Sequence, residues 1–137
     1  MKKLLGILCV FCITPVFAHQ LKSFTEIYKS IKSGHNIRMV IDFDECVPRP
    51  KIANVIVYTA PTAVMMRKEY LQFANSPLTT NNPQFPKKPV LENCTYKITD
   101  NNEVNVMIRL IALPDYSVVS ESNLTCSLGG AVKVFNK

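Results

Sequence analysis

Three cysteines beyond the first 18 residues carry the clearest potential chemistry of this chain: Cys46, Cys94 and Cys126. The chain has five cysteines in all, and the other two lie in an apolar stretch near the amino terminus. Three cysteines allow one disulfide and leave one free thiol. They lack Cys-x-x-Cys spacing, and the chain has only two histidines, so the sequence predicts no metal site.

The acidic residues Asp42 and Asp44 have a spacing that could support acid–base chemistry. A glycosidase needs two carboxylates held roughly 5 to 10 Å apart across a cleft. Acidic residues at the end of a strand more often are solvated or pair with a neighbouring base, here Arg38 on the same face. We therefore predict no catalytic residues, and a hydrolase that uses Asp42 is kept as an alternative.

The helix that should precede these acidic residues is predicted at 21–31. Its apolar residues recur at spacings of three and four, at Phe24, Ile27, Tyr28 and Ile31. Ser23 or Thr25 can cap its start. Gly34 can end it, because glycine readily adopts a left-handed turn.

Strands are predicted wherever the apolar period changes to two. The first spans 37–43, followed by 54–59, a less regular segment at 63–74, a hairpin with arms at 94–99 and 104–110, an arm at 123–128 and a last strand at 131–135. The predicted fold is α+β and mainly antiparallel β. One N-terminal amphipathic helix packs on a meander sheet of about six strands, which could curl toward a barrel.

A proline-rich segment at 75–89 interrupts this pattern. It holds four of the nine prolines, which cannot sustain a hydrogen-bonded ladder, so it is predicted to be a long surface loop. The candidate binding surface combines side chains of this loop and of the first strand: Arg38, Asp42, Asp44, Phe85, Lys87 and Lys88.

The first 18 residues have the pattern of a secretory signal peptide. Lys2 and Lys3 form a basic start, residues 4–13 are apolar, and Val16-Phe17-Ala18 forms a small-residue cleavage site, so the mature chain would begin at His19. The apolar stretch is shorter than the roughly 20 residues that a membrane-spanning helix needs. We predict export to the periplasm or beyond the cell, no stable membrane anchor, and a single domain at 19–137.

The composition indicates one small globular domain. The chain has 137 residues, of which 47% are hydrophobic. This length is too short for a doubly wound nucleotide-binding enzyme or a (β/α)₈ barrel. With four glycines and no glycine-rich phosphate loop, no cofactor is predicted. The net charge of +6 falls to about +4 without Lys2 and Lys3. Scattered basic residues and the absence of tryptophan argue against a nucleic-acid partner, and a monomer is expected.

Two stretches of the chain resemble the VirK family of secreted bacterial virulence-associated proteins. The first is NIRMVIDF at 36–43, continuing to Cys46. The second runs from PVLE at 89–92 through YKI at 96–98 and YSV at 116–118 to NLTC at 123–126. The resemblance covers most of the chain beyond residue 18. It implies a small exported protein tied to host interaction or virulence, without a catalytic residue set.

The residues alone leave the disulfide pairing open. The predicted meander places Cys94 and Cys126 two strand spacings apart, about 9.6 Å, whereas a disulfide tolerates about 7 Å between Cα atoms. Cys46 could therefore pair with either of them. The VirK resemblance covers Cys46 and Cys126 and leaves Cys94 as an addition, which implies a Cys46–Cys126 disulfide and a buried free thiol at Cys94.

The leading functional hypothesis is a secreted, non-catalytic binding or host-interaction protein. Its partner would be an unidentified protein, lipid or glycan. The alternatives are a small-ligand carrier with a barrel-like apolar interior and the hydrolase that uses the acidic strand end at Asp42.

Overall fold

The structure, a computed structural model, describes residues 18–50 and 54–136. Within these ranges the chain forms one α-helix and two antiparallel sheets that share a hydrophobic core. The predicted signal peptide lies outside the described residues except for Ala18.

The elements follow each other along the chain as short strands, one helix and then long strands. In order they are β1 (His19–Leu21), α1 (Phe24–Lys32), β2 (Ile37–Asp42), the 3₁₀-helix η1 (Phe43–Glu45), β3 (Ile56–Thr59), β4 (Ala63–Met66), β5 (Tyr70–Asn75), β6 (Leu78–Thr79), β7 (Val90–Thr99), β8 (Glu103–Ala112), β9 (Val118–Ser127) and β10 (Val132–Asn136). The mainly antiparallel α+β class predicted from the sequence is confirmed.

Both ends of the helix α1 are formed by residues that the sequence predicts there. The Ser23 hydroxyl accepts a hydrogen bond from the Glu26 amide at 3.3 Å, which satisfies one of the free amides of the first turn. Gly34, with φ at +85°, follows the helix in the left-handed region. The Phe24 amide donates to the Asn102 side chain at 2.9 Å, so the helix start is attached to the turn between β7 and β8.

The strands divide between two sheets. One has the order β1-β10-β2-β3, and the other contains β4-β5-β7-β8-β9 with β6 paired to β7. The predicted meander is present as β7-β8-β9. The last strand does not extend it, because β10 inserts between β1 and β2 of the other sheet. Both sheets are open at their edges within the described residues, so they do not close into a barrel.

Residues 63–74, which alternate irregularly, form two strands rather than one. β4 and β5 pair in antiparallel fashion from Ala63 opposite Ala74 to Met66 opposite Leu71. The Arg67 amide donates to the Tyr70 carbonyl at 2.9 Å and closes the turn between them. The turn explains the mixed periodicity, because the alternation of inward-facing and outward-facing residues on β4 is interrupted by the turn and starts again on β5.

The core lies between the inner faces of the two sheets and is closed by α1. Its fully buried side chains include Ile27 of the helix, Met39 and Ile41 of β2, and Phe73 and Tyr96 of the larger sheet. The opposite faces of both sheets point away from this core. Candidate binding sites are therefore to be found on the outer faces and along the line where the sheets separate.

Candidate functional site

A disulfide joins the two sheets just after β2. Cys46 is bonded to Cys126 on β9, with 4.5 Å between the Cα atoms, so the predicted pairing is confirmed. Beside it, Val47 and Thr125 exchange two backbone hydrogen bonds of 2.8 and 2.7 Å. The covalent bond and this β-bridge together attach the smaller sheet to the edge strand of the larger one.

Cys94 is free, as predicted, but it is half-buried rather than fully buried. Burial raises the pKa of the Cys94 thiol, the Tyr96 hydroxyl lowers it, and the nearby Glu92 carboxylate raises it. The net effect is a raised pKa, which keeps the thiol protonated near neutral pH. A protonated thiol is a weak nucleophile, so the geometry gives Cys94 the character of a packing residue.

The two aspartates considered as a possible catalytic pair both accept hydrogen bonds from the local backbone. An Asp42 carboxylate oxygen accepts from the Asp44 amide at 3.1 Å and caps η1. The Asp44 carboxylate accepts from the Asn54 amide at 2.7 Å and lies 3.8 Å from Arg49. The expected pairing of Arg38 with Asp42 is absent from the ion pairs of the described residues. The two carboxylates thus fix the turn that leads to Cys46.

The predicted loop at 75–89 contains the short strand β6 and two turns. The Asn82 side chain donates to the Glu92 carboxylate at 2.7 Å and ties the loop to β7. The Phe85 amide donates to the Asn82 carbonyl, and the Lys88 amide to the Phe85 carbonyl. Phe85 is half-buried, whereas Lys87 and Lys88 are exposed. The structure does not bring these three residues together with Arg38 in either groove described below.

A shallow groove of about 340 Å³ crosses the outer face of the six-stranded sheet, and we call it the amide groove. The strand register aligns polar side chains from four neighbouring strands in rows across it. Val47, 70% exposed, lies at its rim. Its polar lining consists of Gln72, Thr95, Lys97, Asn105, Asn123 and Thr125.

Only part of this polar lining is engaged within the protein. The Thr125 hydroxyl donates to the Asn105 side-chain oxygen at 3.3 Å. The side-chain amides of Asn105 and Asn123 each donate to a carboxylate on their own strand, at 2.9 and 3.1 Å. Among the described residues, the side chains of Gln72 and Thr95 make no hydrogen bond. The Lys97 ammonium lies 4.4 Å from the centroid of the Tyr70 ring. Donors and acceptors of this groove are thus available to a ligand.

A second groove of about 250 Å³ lies where the two sheets separate, and we call it the seam groove. It is bounded by the end of α1, the start of β2, and the connection between β3 and β4. Its lining includes Ile31, His35, Asn36, Arg38, Pro61 and Val64. Arg38 lines this groove, and its neighbours there are not the residues with which it was grouped in the predicted binding surface.

The described residues contain no group of three or more His, Cys, Asp or Glu side chains arranged to hold a metal ion. In the same ranges, no helix has the length and apolar character needed to cross a bilayer.

A family model described as VirK protein matches residues 20–116 of the chain. The chain belongs to the VirK family. A crystal structure of a VirK family protein from Legionella pneumophila resembles the present fold with a TM-score of 0.80 at 21% sequence identity, covering 85% of this chain and 98% of that chain. No curated protein matches the sequence.

The VirK match includes most of both grooves but ends before β9. It contains Arg38 of the seam groove and Gln72, Thr95 and Lys97 of the amide groove. The strand that supplies Asn123 and Cys126 lies beyond it. The likeness to the Legionella VirK protein, at its low sequence identity, shows a shared fold.

The residues of the amide groove were not among the predicted site residues. Each of them is an ordinary polar position on the outward face of a strand, and such positions are common. The one signal in the sequence is that so many carry an amide or a hydroxyl group rather than a charge. Recognising that signal as a site requires the register of four strands.

Proposed function

We propose that this VirK family protein is exported and acts outside the cytoplasm as a non-catalytic binding protein in host interaction. The basic, apolar and small-residue pattern at 1–18 supports export. The Cys46–Cys126 disulfide supports it as well, because structural disulfides persist in oxidising compartments. The resemblance to secreted virulence-associated proteins supports a role in contact with a host.

The observation that carries the binding function is the amide groove. Gln72, Lys97, Asn105 and Thr125 form one continuous row across four strands. Side-chain amides and hydroxyls both donate and accept hydrogen bonds. A row of such groups held on a rigid sheet suits a ligand that presents many hydroxyl groups at regular intervals.

A glycan is therefore the partner class that the amide groove favours. Sugar hydroxyls pair with amides in both hydrogen-bonding senses, and the exposed apolar rim at Val47 can contact the carbon face of a sugar ring. The open, shallow shape allows a chain to extend beyond the groove in both directions. An extended ligand of this kind needs no enclosed cavity.

Glycan binding can be tested by presenting the purified protein to an array of host and bacterial-envelope oligosaccharides. For any glycan that binds, the Gln72→Ala/Asn123→Ala variant should bind about tenfold to a hundredfold more weakly, since it loses two hydrogen-bonding side chains. Gln84→Ala, an exposed change in the loop at 75–89, is the matched control and should bind normally. Equal binding by all three proteins would place the ligand elsewhere and contradict the proposal.

The same experiment tests the non-catalytic part of the proposal. A glycan that binds should be recovered intact after prolonged incubation. Release of new reducing ends that disappears in Asp42→Asn would instead support the hydrolase hypothesis.

Export predicts a defined amino terminus. Protein purified from the native culture should begin at His19 rather than at Met1, because cleavage follows a small residue. Amino-terminal sequencing of the stable extracytoplasmic form measures this directly. A stable form that keeps Met1 would contradict the export proposal without affecting the proposed glycan site.

A further inference from the structure

The seam groove has a lining unlike that of the amide groove. Apolar and polar groups contribute to its walls in similar measure, and the polar groups come from the segment that joins α1 to β2 and from the start of β2. Among the described residues, no acidic side chain lines it. A cavity with apolar walls and a few convergent polar groups is the usual form of a small-ligand site. The polar groups are His35, Asn36 and Arg38.

Arg38 is the cationic group of this groove. It is half-buried on the outward face of β2, opposite Phe135 on β10. The ion pairs between described residues join Arg49 to Asp44 and Arg109 to Glu121. Within the same residues, Arg38 also has no side-chain hydrogen bond. A guanidinium carries five donors that cannot be deprotonated, so this half-buried group has unused capacity to bind an anion.

The neighbouring polar groups are oriented by the end of the helix. The His35 ring nitrogen Nδ1 lies 3.2 Å from the Ser30 carbonyl oxygen, which can only accept. Nδ1 therefore carries a proton, and Nε2 is the nitrogen left for a ligand. The Gly34 amide caps the Ile31 carbonyl at 2.9 Å, which reduces the negative character of the helix end at the groove.

We propose that the seam groove binds the carboxylate of a compact apolar molecule or chain end, held by the Arg38 guanidinium. The planar guanidinium matches a carboxylate through two parallel hydrogen bonds. Ile31, Pro61 and Val64 contact the apolar body attached to it. The carboxylate belongs either to a free organic acid or to the carboxyl terminus of a polypeptide.

Charge and size favour a carboxylate over other anions. The groove offers one guanidinium, which balances one negative charge, whereas a phosphate monoester carries nearly two at neutral pH. A volume of about 250 Å³ is too small for most drug-sized ligands but accommodates a ring or a short branched chain. This site is separate from the amide groove, so its test is independent of glycan binding.

Titration of the purified protein with benzoate and with benzamide, followed by calorimetry and by amide NMR shifts, tests the proposal. Benzoate should bind and shift residues of the seam groove, while benzamide, of the same shape but neutral, should bind at least about tenfold more weakly. Acetyl-alanyl-phenylalanine with a free or an amidated carboxyl terminus distinguishes the two sources. Tighter binding of the free peptide than of benzoate indicates a polypeptide terminus, and the reverse indicates an organic acid.

Two variants assign binding to the groove. Arg38→Gln should weaken benzoate binding about tenfold to a hundredfold, because it removes the charge-assisted hydrogen bonds. Ala60→Phe, which adds a ring at an exposed residue that also lines the groove, should weaken it without removing the Arg38 guanidinium. Lys133→Gln removes a positive charge from the same sheet outside the groove and should bind benzoate normally.

The proposal would be overturned by several results. The first is a failure of benzoate and of the peptide to bind at concentrations up to about 10 mM, and the second is equal affinity for benzoate and benzamide. The others are unchanged benzoate affinity in Arg38→Gln and a loss of benzoate affinity in Lys133→Gln as large as in Arg38→Gln. Should Arg38→Gln fail to fold, Ala60→Phe decides, since normal binding by that variant places the ligand outside the groove.

Discussion

Replacing Cys46 and Cys126 together with alanine is expected to lower the free energy of unfolding by about 4 kcal/mol. The bonded cysteines lie 80 residues apart. A cross-link over such a length restricts the unfolded chain more than the folded one, and the loss of this restriction favours unfolding. A small domain has a total stability of about 5 to 15 kcal/mol, so the disulfide contributes a large part of it.

Urea unfolding followed by circular dichroism measures this change for the oxidised protein and the double variant. Cys94→Ala is the matched control, since it removes a half-buried thiol and keeps the disulfide; it should cost only about 1 kcal/mol. Wild-type protein treated with reductant should resemble the double variant. A double variant that loses less than about 1 kcal/mol would show that the bond adds little to stability.

The elements whose signal is local could be predicted from the sequence. Ile37, Met39 and Ile41 alternate along β2, and all three are buried. The helix likewise repeats its apolar side chains at the helical period, and Ser23 caps its start. In both cases the pattern involves residues that are only two to four positions apart in the sequence. It can therefore be recognised without knowledge of the rest of the chain.

The assignment of strands to sheets could not be predicted in the same way. Two consecutive glycines before the last strand are typical of a tight return, which is why β10 was expected to extend the meander. Instead Val134 pairs with Met39 of β2 on one side and with Leu21 of β1 on the other. These partners are distant in sequence, and alternation reveals which face of a strand is buried but not which strand lies beside it.

The two grooves depend on the same long-range information. Arg38 was predicted as a binding residue, but with Asp42 as a neighbour along its own strand. In the structure Asp42 caps η1, and the residues that share a groove with Arg38 come from the helix end and from Pro61 and Val64 after β3. A linear sequence shows neighbours along a strand, whereas a site is formed by neighbours across the fold.

Phe73→Ala is expected to lower the free energy of unfolding by about 3 to 5 kcal/mol. Phe73 is fully buried on β5, directly opposite Tyr96 on β7, which is 1% exposed. Removing the ring takes away apolar contacts between the two sheets and leaves a cavity beside Tyr96. Because the Cys46–Cys126 disulfide holds the two sheets together, we expect them to close over that cavity only in part.

The matched control for this change is Gln72→Ala, one residue earlier on the same strand. Gln72 lies on the opposite face of β5 in the amide groove, so its truncation should change stability by less than about 1 kcal/mol. Urea unfolding of the two variants therefore separates the inner face of β5, which holds the fold together, from the outer face, which is free to bind. A loss below about 1.5 kcal/mol for Phe73→Ala would mean that the sheets close over the space the ring occupied, and that the core is less rigid than its burial indicates.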